Sequence, residues 1–341
     1  MRKLRIVALV RHGLVPAETL EGFTDDNLPE WKMEFDVVTT LRDLGHEVRV
    51  LGMFDDLGPI RETILEWKPH VAFMMLEEFL GVSVYDQAVV GYLELMQQPY
   101  TGCNPRGLLL THDKALSKKI LQYHRISTPR FVVFPRNQKV KPHRRLHYPI
   151  LVKSSIEDAS FGISQASVVT NERALIERVN FVHERTETDA IAEEYIDGRE
   201  LYVGVIGNDR LQTLPIWEML FSRMPEDVAR IATARVKWNP KYQTKHGIDT
   251  RAAQDIPEEQ RKNISRLCKR VYRRLNMSGY GRIDLRLRPD GEVFVLEANA
   301  NPNLEFGEDF AESAESAGIS YESLIQRIVN LGLRYNAPWR G

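Results

Sequence analysis

Residues 281–302 read GRIDLRLRPDGEVFVLEANANP, two alternating apolar runs on either side of a Pro-Asp-Gly turn. This pattern is a strong local signal for a β-hairpin. If the loop has two residues, Asp284 pairs with Glu297 across the ladder. Arg282 then faces Asn299 one rung further along. Because side chains alternate along a strand, all four lie on one face of the predicted hairpin.

Asp284 and Glu297 would be two carboxylates that face each other directly. Like charges in that position repel unless a cation lies between them. With the amide oxygen of Asn299 nearby, the pair suits a hard divalent ion such as Mg²⁺ that also binds phosphate oxygens. A three-residue loop would put the carboxylates on opposite faces, so the metal hypothesis depends on the register. The alternative is a solvated acidic hairpin.

The composition is that of an ordinary soluble globular protein. The 341 residues suggest two or three domains at roughly 150 residues each. The chain is 43% hydrophobic and 27% charged, and its net charge of −1 favours neither nucleic acid nor membrane as a partner. No apolar run approaches the roughly 18 residues that span a bilayer. Cys103 and Cys268 show no metal-binding spacing, and we expect a reduced, cytoplasmic protein.

The first hundred residues alternate between strand and helix patterns. Apolar runs at 4–10, 47–51 and 71–76 are separated by helical patterns at 34–44 and 60–67. Continuous apolar strands joined by helices predict a parallel α/β layer. No Gly-x-Gly-x-x-Gly follows the first strand, so an ordinary dinucleotide site is not expected.

Two further segments contain residue types that suit a nucleotide. Lys153 ends an apolar strand, and the loop 154–164 that follows is rich in small hydroxylated residues whose N–H and O–H groups can bind phosphate. The alternative for this loop is a plain polar turn. The segment 193–200 joins two strands, where the main chain can bind adenine and Glu200 can accept from ribose hydroxyls. A surface hairpin with charged tips is the alternative there.

The order of these pieces resembles the ATP-grasp superfamily and, within it, the D-alanine–D-alanine ligase family. The resemblance runs from about residue 85 to about residue 333. The matching pieces are 99–102, Asp113-Lys114, Val152-Lys153 with Glu157, Ser160 and Gly162, 193–200, Lys241-Tyr242, 281–284, 296–299 with Pro302, and 317–320. Each piece is weak alone, but the ordered set is specific.

The resemblance implies an α/β (α+β) fold of ATP-grasp architecture, in which an N-terminal parallel layer at 1–110 precedes two α+β subdomains, 111–190 and 191–341, that clamp the nucleotide. It also implies a role for each matching residue. The implied roles are ATP phosphates for Lys114 and Lys153, with Glu157 and Gly162 in the loop over them; nucleotide binding for Glu193 and adenine for the main chain of Glu194, Tyr195 and Ile196; ribose for Glu200; catalysis for Arg282, Lys241 and Ser160; and metal for Asp284, Glu297 and Asn299.

The reaction implied by the resemblance is ATP-dependent carbon–nitrogen ligation. A carboxylate is converted by ATP into an acyl phosphate, an amine attacks it, and ADP and phosphate are released. The implied cofactors are ATP and two Mg²⁺ ions, with Mn²⁺ as an alternative ion, and the partners are small-molecule substrates. The oligomeric state is left open, with a homodimer as one alternative. The rival from another class is a nucleotide-binding regulatory protein without catalysis, which would have little use for two metal carboxylates.

The departures from the family pattern fall on the substrate side. The family's N-terminal glycine-rich loop is missing, and Glu18 stands nearest to its glutamate. Asn303 replaces a glycine after Pro302. Glu308 and Asp309 align with a Ser-Leu pair that receives the carboxylate of the acceptor, and an anionic pair should repel that group. The pair therefore puts D-alanine as acceptor in question and favours a neutral or basic acceptor. The alternative is a solvated acidic loop, which would leave the acceptor of the family in place.

Overall fold

The computed structural model describes residues 3–24, 28–141, 144, 146–156, 163–225 and 228–340. Within these residues the chain forms one parallel and two antiparallel sheets, which follow one another along the sequence. In the same residues, no helix is both long and apolar enough to cross a membrane.

The N-terminal sheet is parallel, with the strand order β2-β1-β3. Its elements and the helices after it are β1 Arg5–Arg11, α1 Lys32–Asp43, β2 Glu47–Met53, α2 Gly58–Glu62, β3 Val71–Met74, α3 Asp86–Leu95 and α4 Pro105–His112. The central strand β1 is apolar throughout its middle because helices cover both faces: Ala8 packs with Val38 of α1, and Leu9 packs with Val90 of α3. The parallel layer predicted from the sequence is confirmed.

The second sheet is antiparallel, with the order β4-β7-β5-β6. Its elements are α5 Lys114–Tyr123, β4 Phe131–Phe134, β5 Ile150–Ser154, β6 Val168–Val169, α6 Glu172–Thr186 and β7 Ala190–Glu194. One face packs on α6, where Val152 and Ala192 meet Leu175 and Val179. Because β7 extends to Glu194, this sheet passes the subdomain limit expected at residue 190, and the domain limits stay predictions.

The third sheet is antiparallel, with the order β11-β10-β8-β12-β13 and β9 paired to β8. The elements of this part are β8 Arg199–Ile206, β9 Gln212–Thr213, β10 Trp217–Phe221, α7 Ala234–Trp238, α8 Pro240–His246, β11 Ile248–Ala252, α9 Glu258–Arg274, β12 Tyr280–Leu287, β13 Val293–Ala300, α10 Asp309–Ser316 and α11 Tyr321–Arg334. Val203 and Ile283 pack against Cys268 and Val271 of α9. Alternation along the strands therefore sends the polar residues of β8 and β12 to the other face.

The loop between β12 and β13 is longer than predicted. The N–H of Arg288 donates to the carbonyl of Glu292 at 2.9 Å, which closes a three-residue loop with Gly291 at a φ of +87°. A single αL glycine at the end of a three-residue hairpin loop is a common arrangement. By itself this loop would set Asp284 opposite Leu296, so the predicted two-residue loop is wrong.

A β-bulge restores the predicted register. Asp284 pairs with Glu297, whereas the next residue of β12, Leu285, pairs with Val295. Leu296 is therefore the extra residue on β13, and the strand beyond it returns to the face expected from the sequence. The predicted pairing of Asp284 with Glu297 is confirmed, for a reason that the sequence pattern did not contain.

Candidate active site

Asp284 and its neighbours lie on the face of the third sheet that α9 leaves uncovered. The guanidinium of Arg282 binds the Asp284 carboxylate twice, with Nε 2.8 Å from Oδ1 and Nη2 3.0 Å from Oδ2. The side-chain amide of Asn299 donates to Oδ2 at 3.0 Å. Glu297 is the direct cross-strand partner. The structure thus brings together all four residues predicted from the hairpin.

The second sheet contributes two lysines to the same place. The Nζ of Lys153, at the end of β5, lies 3.4 Å from Oε2 of Glu297 and 3.6 Å from Oε1 of Glu193. The Nζ of Lys118, on α5, lies 3.5 Å from the same oxygen of Glu193. It also donates to the carbonyl of Leu296, the bulged residue, at 2.5 Å. The two antiparallel sheets therefore meet in one buried cluster of charges.

Sequence reasoning missed Lys118 and gave Glu193 a different role. Glu193 is 2% exposed, and its carboxylate lies on the two lysines, so it holds their ammonium groups in place. Its predicted contact with the nucleotide stays a prediction. A signal for Lys118 was present in the sequence: it follows Lys114 by four residues on a predicted helix, which places both side chains on one face.

The lysines determine the charge state of the cluster. Burial acts to raise the pKa of Glu297, but the charges of Lys153, Lys114, Lys237 and Lys118 outweigh it and hold the pKa below its usual value. Burial also lowers the pKa of Lys118 to about 8, against the attraction of Glu193. Glu297 is therefore an ionised carboxylate in a strongly positive setting, which is suited to a polyanion with a bound cation.

Lys114 reaches the cluster from the start of α5. It is 4% exposed, and its N–H donates to the carbonyl of Ser155 at 3.0 Å, which ties the helix to the end of β5. Its charge acts on Glu297. This placement agrees with the phosphate-binding role that the family resemblance implies.

The structure does not bring Lys241 to the cluster. Lys241 is exposed on α8 and, in the part of the chain that the structure describes, makes no contact with the acidic pair. Lys237 on α7 acts electrostatically on both Asp284 and Glu297. Of the two lysines, four residues apart, Lys237 is therefore the one whose charge acts on the acidic pair.

Glu200 is held by two neighbours at the end of the cluster. Nη2 of Arg286 lies 2.5 Å from its Oε2, and the hydroxyl of Tyr202 donates to its Oε1 at 2.9 Å. Arg286 also donates to the carbonyl of Gly198 at 2.8 Å and lies over the ring of Tyr195. Both oxygens of Glu200 thus accept a hydrogen bond from a neighbouring side chain. The contact of Glu200 with ribose stays a prediction, and a ribose hydroxyl would share an oxygen with one of these donors or replace it.

The predicted adenine segment begins where β7 leaves the sheet. The N–H groups of Glu194 and Tyr195 donate to the carbonyls of Arg130 and Pro149, each at 2.9 Å. Ile196 follows in the connection to β8, where the main chain departs from the ladder. The predicted main-chain contact of Glu194, Tyr195 and Ile196 with adenine stays a prediction.

The residues present fit a divalent cation that is shared with phosphate. Among the described residues, no group of three or more His, Cys, Asp and Glu side chains could hold a metal ion. Mg²⁺ bound with a nucleotide commonly takes one or two carboxylates from the protein and completes its octahedron with phosphate oxygens and water. Asp284, Glu297 and the amide oxygen of Asn299 supply such a partial set.

Glu157, Ser160 and Gly162 lie outside the described residues. Their predicted roles in the loop over the phosphates stay predictions. On the N-terminal side of that loop, Ser155 is tied by its N–H to the carbonyl of Asp189 at 3.0 Å.

Comparison with known proteins decides the family. The family described as "D-ala D-ala ligase C-terminus" matches residues 119–330, well over half of the chain. The chain belongs to the D-alanine–D-alanine ligase family. It is accordingly an ATP-dependent carbon–nitrogen ligase of the carboxylate–amine class.

Two relatives match most of the chain. An uncharacterized protein, y4sG of Sinorhizobium fredii, is 30% identical over 90% of this chain and 89% of its own length. The D-alanine–D-alanine ligase of Desulforudis audaxviator is 30% identical over 86% of this chain and 90% of its own. At this level of identity the family is shown, whereas the substrates are not.

Solved structures show the same ATP-grasp fold. The D-alanine–D-alanine ligase of Bacillus anthracis, in complex with ATP, superposes with a TM-score of 0.72 and 22% identity over 97% of this chain and 98% of its own. The VanG D-Ala:D-Ser ligase of Enterococcus faecalis gives 0.70 and 19% over 97% and 100%. The architecture expected from the family resemblance is confirmed, and ATP is a ligand of this ligase family.

Proposed function

We propose that this ligase converts a carboxylate into an acyl phosphate at the Asp284–Glu297 cluster and joins it to a neutral or basic amine. The observation that carries the proposal is Glu297, an ionised carboxylate that lies opposite a second carboxylate and against Lys153. A triphosphate and its cation together match that mixture of charges.

The residues around the pair divide the work on ATP. Lys114 and Lys153 hold the phosphates, and Lys237 takes the terminal-phosphate role that the sequence assigned to Lys241. An oxygen of the donor carboxylate attacks the terminal phosphorus, the bond to the ADP oxygen breaks, and an acyl phosphate forms. Positive groups fixed in a buried site stabilise charge that develops in such a transfer without the reorganisation that water would need.

The cation is assigned to Asp284, Glu297 and Asn299. Mg²⁺ bound there would neutralise negative charge on the phosphoryl oxygens. Each oxygen of the Asp284 carboxylate has two lone pairs, so Oδ1 would bind the cation and keep the hydrogen bond from Arg282. The guanidinium of Arg282 is assigned to the oxyanion that forms when the amine nitrogen attacks the acyl carbonyl. The oxyanion collapses to the amide as phosphate leaves with a proton from the amine. Two ions, and Mn²⁺ in place of Mg²⁺, are further parts of this proposal.

The acceptor side of the proposal rests on Glu308 and Asp309. Asp309 begins α10 and acts electrostatically on Arg282, so this pair of carboxylates borders the reacting groups. A carboxylate on the acceptor would be repelled there.

We place the enzyme in the cytoplasm because its reaction consumes ATP. We keep a homodimer as the proposed assembly.

The test is ADP formation by the purified protein with MgATP and a panel of carboxylate and amine pairs. We expect ADP to appear only when both substrates are present. Glu297→Gln, which removes one charge and little volume, should reduce turnover by roughly a hundredfold or more, whereas the same change at the exposed Glu315 should have no effect. Equal turnover of Glu297→Gln and the parent enzyme at limiting Mg²⁺ would refute the assignment of the cation.

A further inference from the structure

Glu34 is a buried carboxylate to which no other described residue donates a hydrogen bond, although its own main-chain N–H acts to lower its pKa. It lies in the first turn of α1, is 1% exposed, and neither carboxylate oxygen reaches a donor on another residue within the described part of the chain. Burial raises its pKa to about 7, and the charges of Glu77 and Glu305 act in the same direction. Buried polar groups are nearly always hydrogen-bonded, and an exception calls for an explanation such as a ligand.

A series of carboxylates leads from Glu34 to the reacting groups. Glu305 acts electrostatically on both Glu34 and Glu308. Glu308 and Asp309 in turn act on Arg282, whose guanidinium lies on the metal-binding carboxylate. We call Glu34, Glu305, Glu308 and Asp309 the acidic cluster. It joins the N-terminal layer to the start of α10, directly beside the proposed site of acyl transfer.

The cations that act on the acidic cluster are already engaged elsewhere. Their partners are Glu78 for Arg11 at 3.5 Å, Asp36 for Lys32 at 2.5 Å, and Asp284 for Arg282 at 2.8 Å. The segment that contains Glu305 is fixed to α1 as well, since the N–H of Phe306 donates to Asp36 at 3.0 Å. The cluster therefore presents an excess of negative charge on a fixed frame.

The shape of the acidic cluster favours an organic cation over a metal ion. Among the described residues, no three acidic side chains stand close enough together to hold a metal. The Glu308 side chain is exposed at the surface, but the protein atoms around it still raise its pKa to about 7 by desolvation. Glu34, in contrast, is fully buried. Carboxylates spread from the surface of the protein to its interior suit an elongated molecule.

We infer that the acidic cluster binds a second, distal cationic group of the amine substrate, so that the acceptor is a diamine or another amine that carries an ammonium or guanidinium beyond its reacting nitrogen. This inference rests on the proposed ligase function and names the substrate class of the same site. The reacting amine must be neutral to attack the acyl phosphate, and therefore only a separate group can supply the positive charge that the cluster matches. Such complementarity acts mainly on specificity.

Binding is measured first, by calorimetry on the nucleotide-free protein. The probes are 1,4-diaminobutane, 1,5-diaminopentane and agmatine, with 1-aminobutane as the amine that lacks the second charge. We expect each of the three dications or basic amines to bind at least tenfold more tightly than 1-aminobutane. Glu34→Gln and Glu305→Gln should each weaken that binding tenfold or more, because they remove a charge and keep the size of the side chain.

The matched control is Glu315→Gln, which removes the same charge from the exposed side of α10. It should leave the binding of all probes unchanged. Equal weakening by Glu315→Gln would show a general effect of net charge and would overturn the inference, as would equal binding of 1-aminobutane and the diamine or no binding of any probe. Thermal melts identify a variant that fails to fold. If Glu34→Gln fails to fold, the binding measured with Glu305→Gln, at a half-buried position, decides.

Turnover separates this inference from the ligase proposal. With a carboxylate substrate that supports turnover, Glu34→Gln should raise the KM for the diamine and leave the KM for ATP unchanged. Diamine binding that depends on Glu34, without ADP formation for any carboxylate, would refute the ligase proposal and support the cation site. ADP formation that is as efficient with D-alanine as with every diamine would support the ligase and refute the cation site.

Discussion

At the scale of single residues, the assignment of the terminal-phosphate lysine can be tested with two variants. Lys237→Ala should lower kcat/KM for ATP by roughly a hundredfold, because Lys237 acts on both Asp284 and Glu297. Lys241→Ala should change it less than about threefold, because that side chain is exposed on α8. Steady-state kinetics with saturating carboxylate and amine measures both, and the reverse order of effects would restore the role to Lys241.

Glu34 carries a second prediction at this scale, on the pH dependence of stability. Burial raises its folded-state pKa from 4.5 to about 7, so ionisation is harder in the folded than in the unfolded chain. The resulting loss of stability is absent below about pH 4.5, grows as the pH rises towards 7 and is constant above. The unfolding free energy of Glu34→Gln, measured relative to that of the parent protein, should therefore rise by roughly 1–3 kcal/mol from pH 5 to pH 8.

Denaturant unfolding at pH 5 and pH 8 measures that difference. Glu322→Gln, at an exposed carboxylate in the first turn of α11, is the comparison variant and should show no gain at pH 8. A gain for Glu34→Gln that is equal at both pH values would mean that the carboxylate is not held in the ionised, desolvated form. A group that destabilises its own fold in this way is common where binding requires it.

At the scale of elements, the hairpin of β12 and β13 shows how a correct pairing can follow from an incorrect loop. Counting residues from a two-residue turn set Asp284 opposite Glu297, and the three-residue turn with the bulge at Leu296 gives the same pairing. The bulge is contacted from outside the hairpin, since the Nζ of Lys118 donates to the Leu296 carbonyl. A sequence pattern holds local information, and this contact joins residues 178 positions apart.

Gly291 gives the prediction for this element. Its φ of +87° lies in the left-handed region, and a Cβ built there meets no atom within 4 Å, so the backbone alone decides the effect. Gly291→Ala should lower the unfolding free energy by about 1–2 kcal/mol and leave kcat unchanged, because the bulge sets the register on the catalytic side. Gly91→Ala, inside α3 and equally free of contacts, should instead stabilise by about 0.5–1 kcal/mol. Loss of activity in Gly291→Ala would show that the loop also fixes the register.

The lysines of α7 and α8 mark the limit of prediction from sequence for the site. Lys237 and Lys241 lie four residues apart, which on one continuous helix would place them on the same face. Asn239 breaks that continuity: it ends α7, and its side chain accepts from the N–H of Tyr242 to begin α8. The two lysines therefore belong to different helices with different directions, which residue spacing cannot reveal.

At the scale of the whole molecule, the order of the chain predicted the architecture better than it predicted the contacts between its parts. The strand that ends at Lys153 and the hairpin with Glu297 were both recognisable locally. Their meeting at 3.4 Å, and the burial of Glu193 between lysines, depend on how two sheets pack. Glu34 was missed for the same reason, because it stands on a helix of the N-terminal layer and interacts electrostatically with Glu305, in the segment after β13.

The last prediction concerns the link between these sheets. Lys153 lies in the second sheet and Glu297 in the third, so a nucleotide bound at their contact should stabilise both together. A ligand at a hundred times its Kd adds about 2.7 kcal/mol to the unfolding free energy, and MgATP should therefore raise the Tm of the parent protein. Lys153→Met should lose most of that gain, whereas Lys262→Met, at an exposed lysine of α9, should keep it. The quantity to compare is the Tm difference with and without MgATP in each variant, since the substitution itself can shift the baseline. An undiminished gain in Lys153→Met would place the nucleotide away from the contact between the sheets.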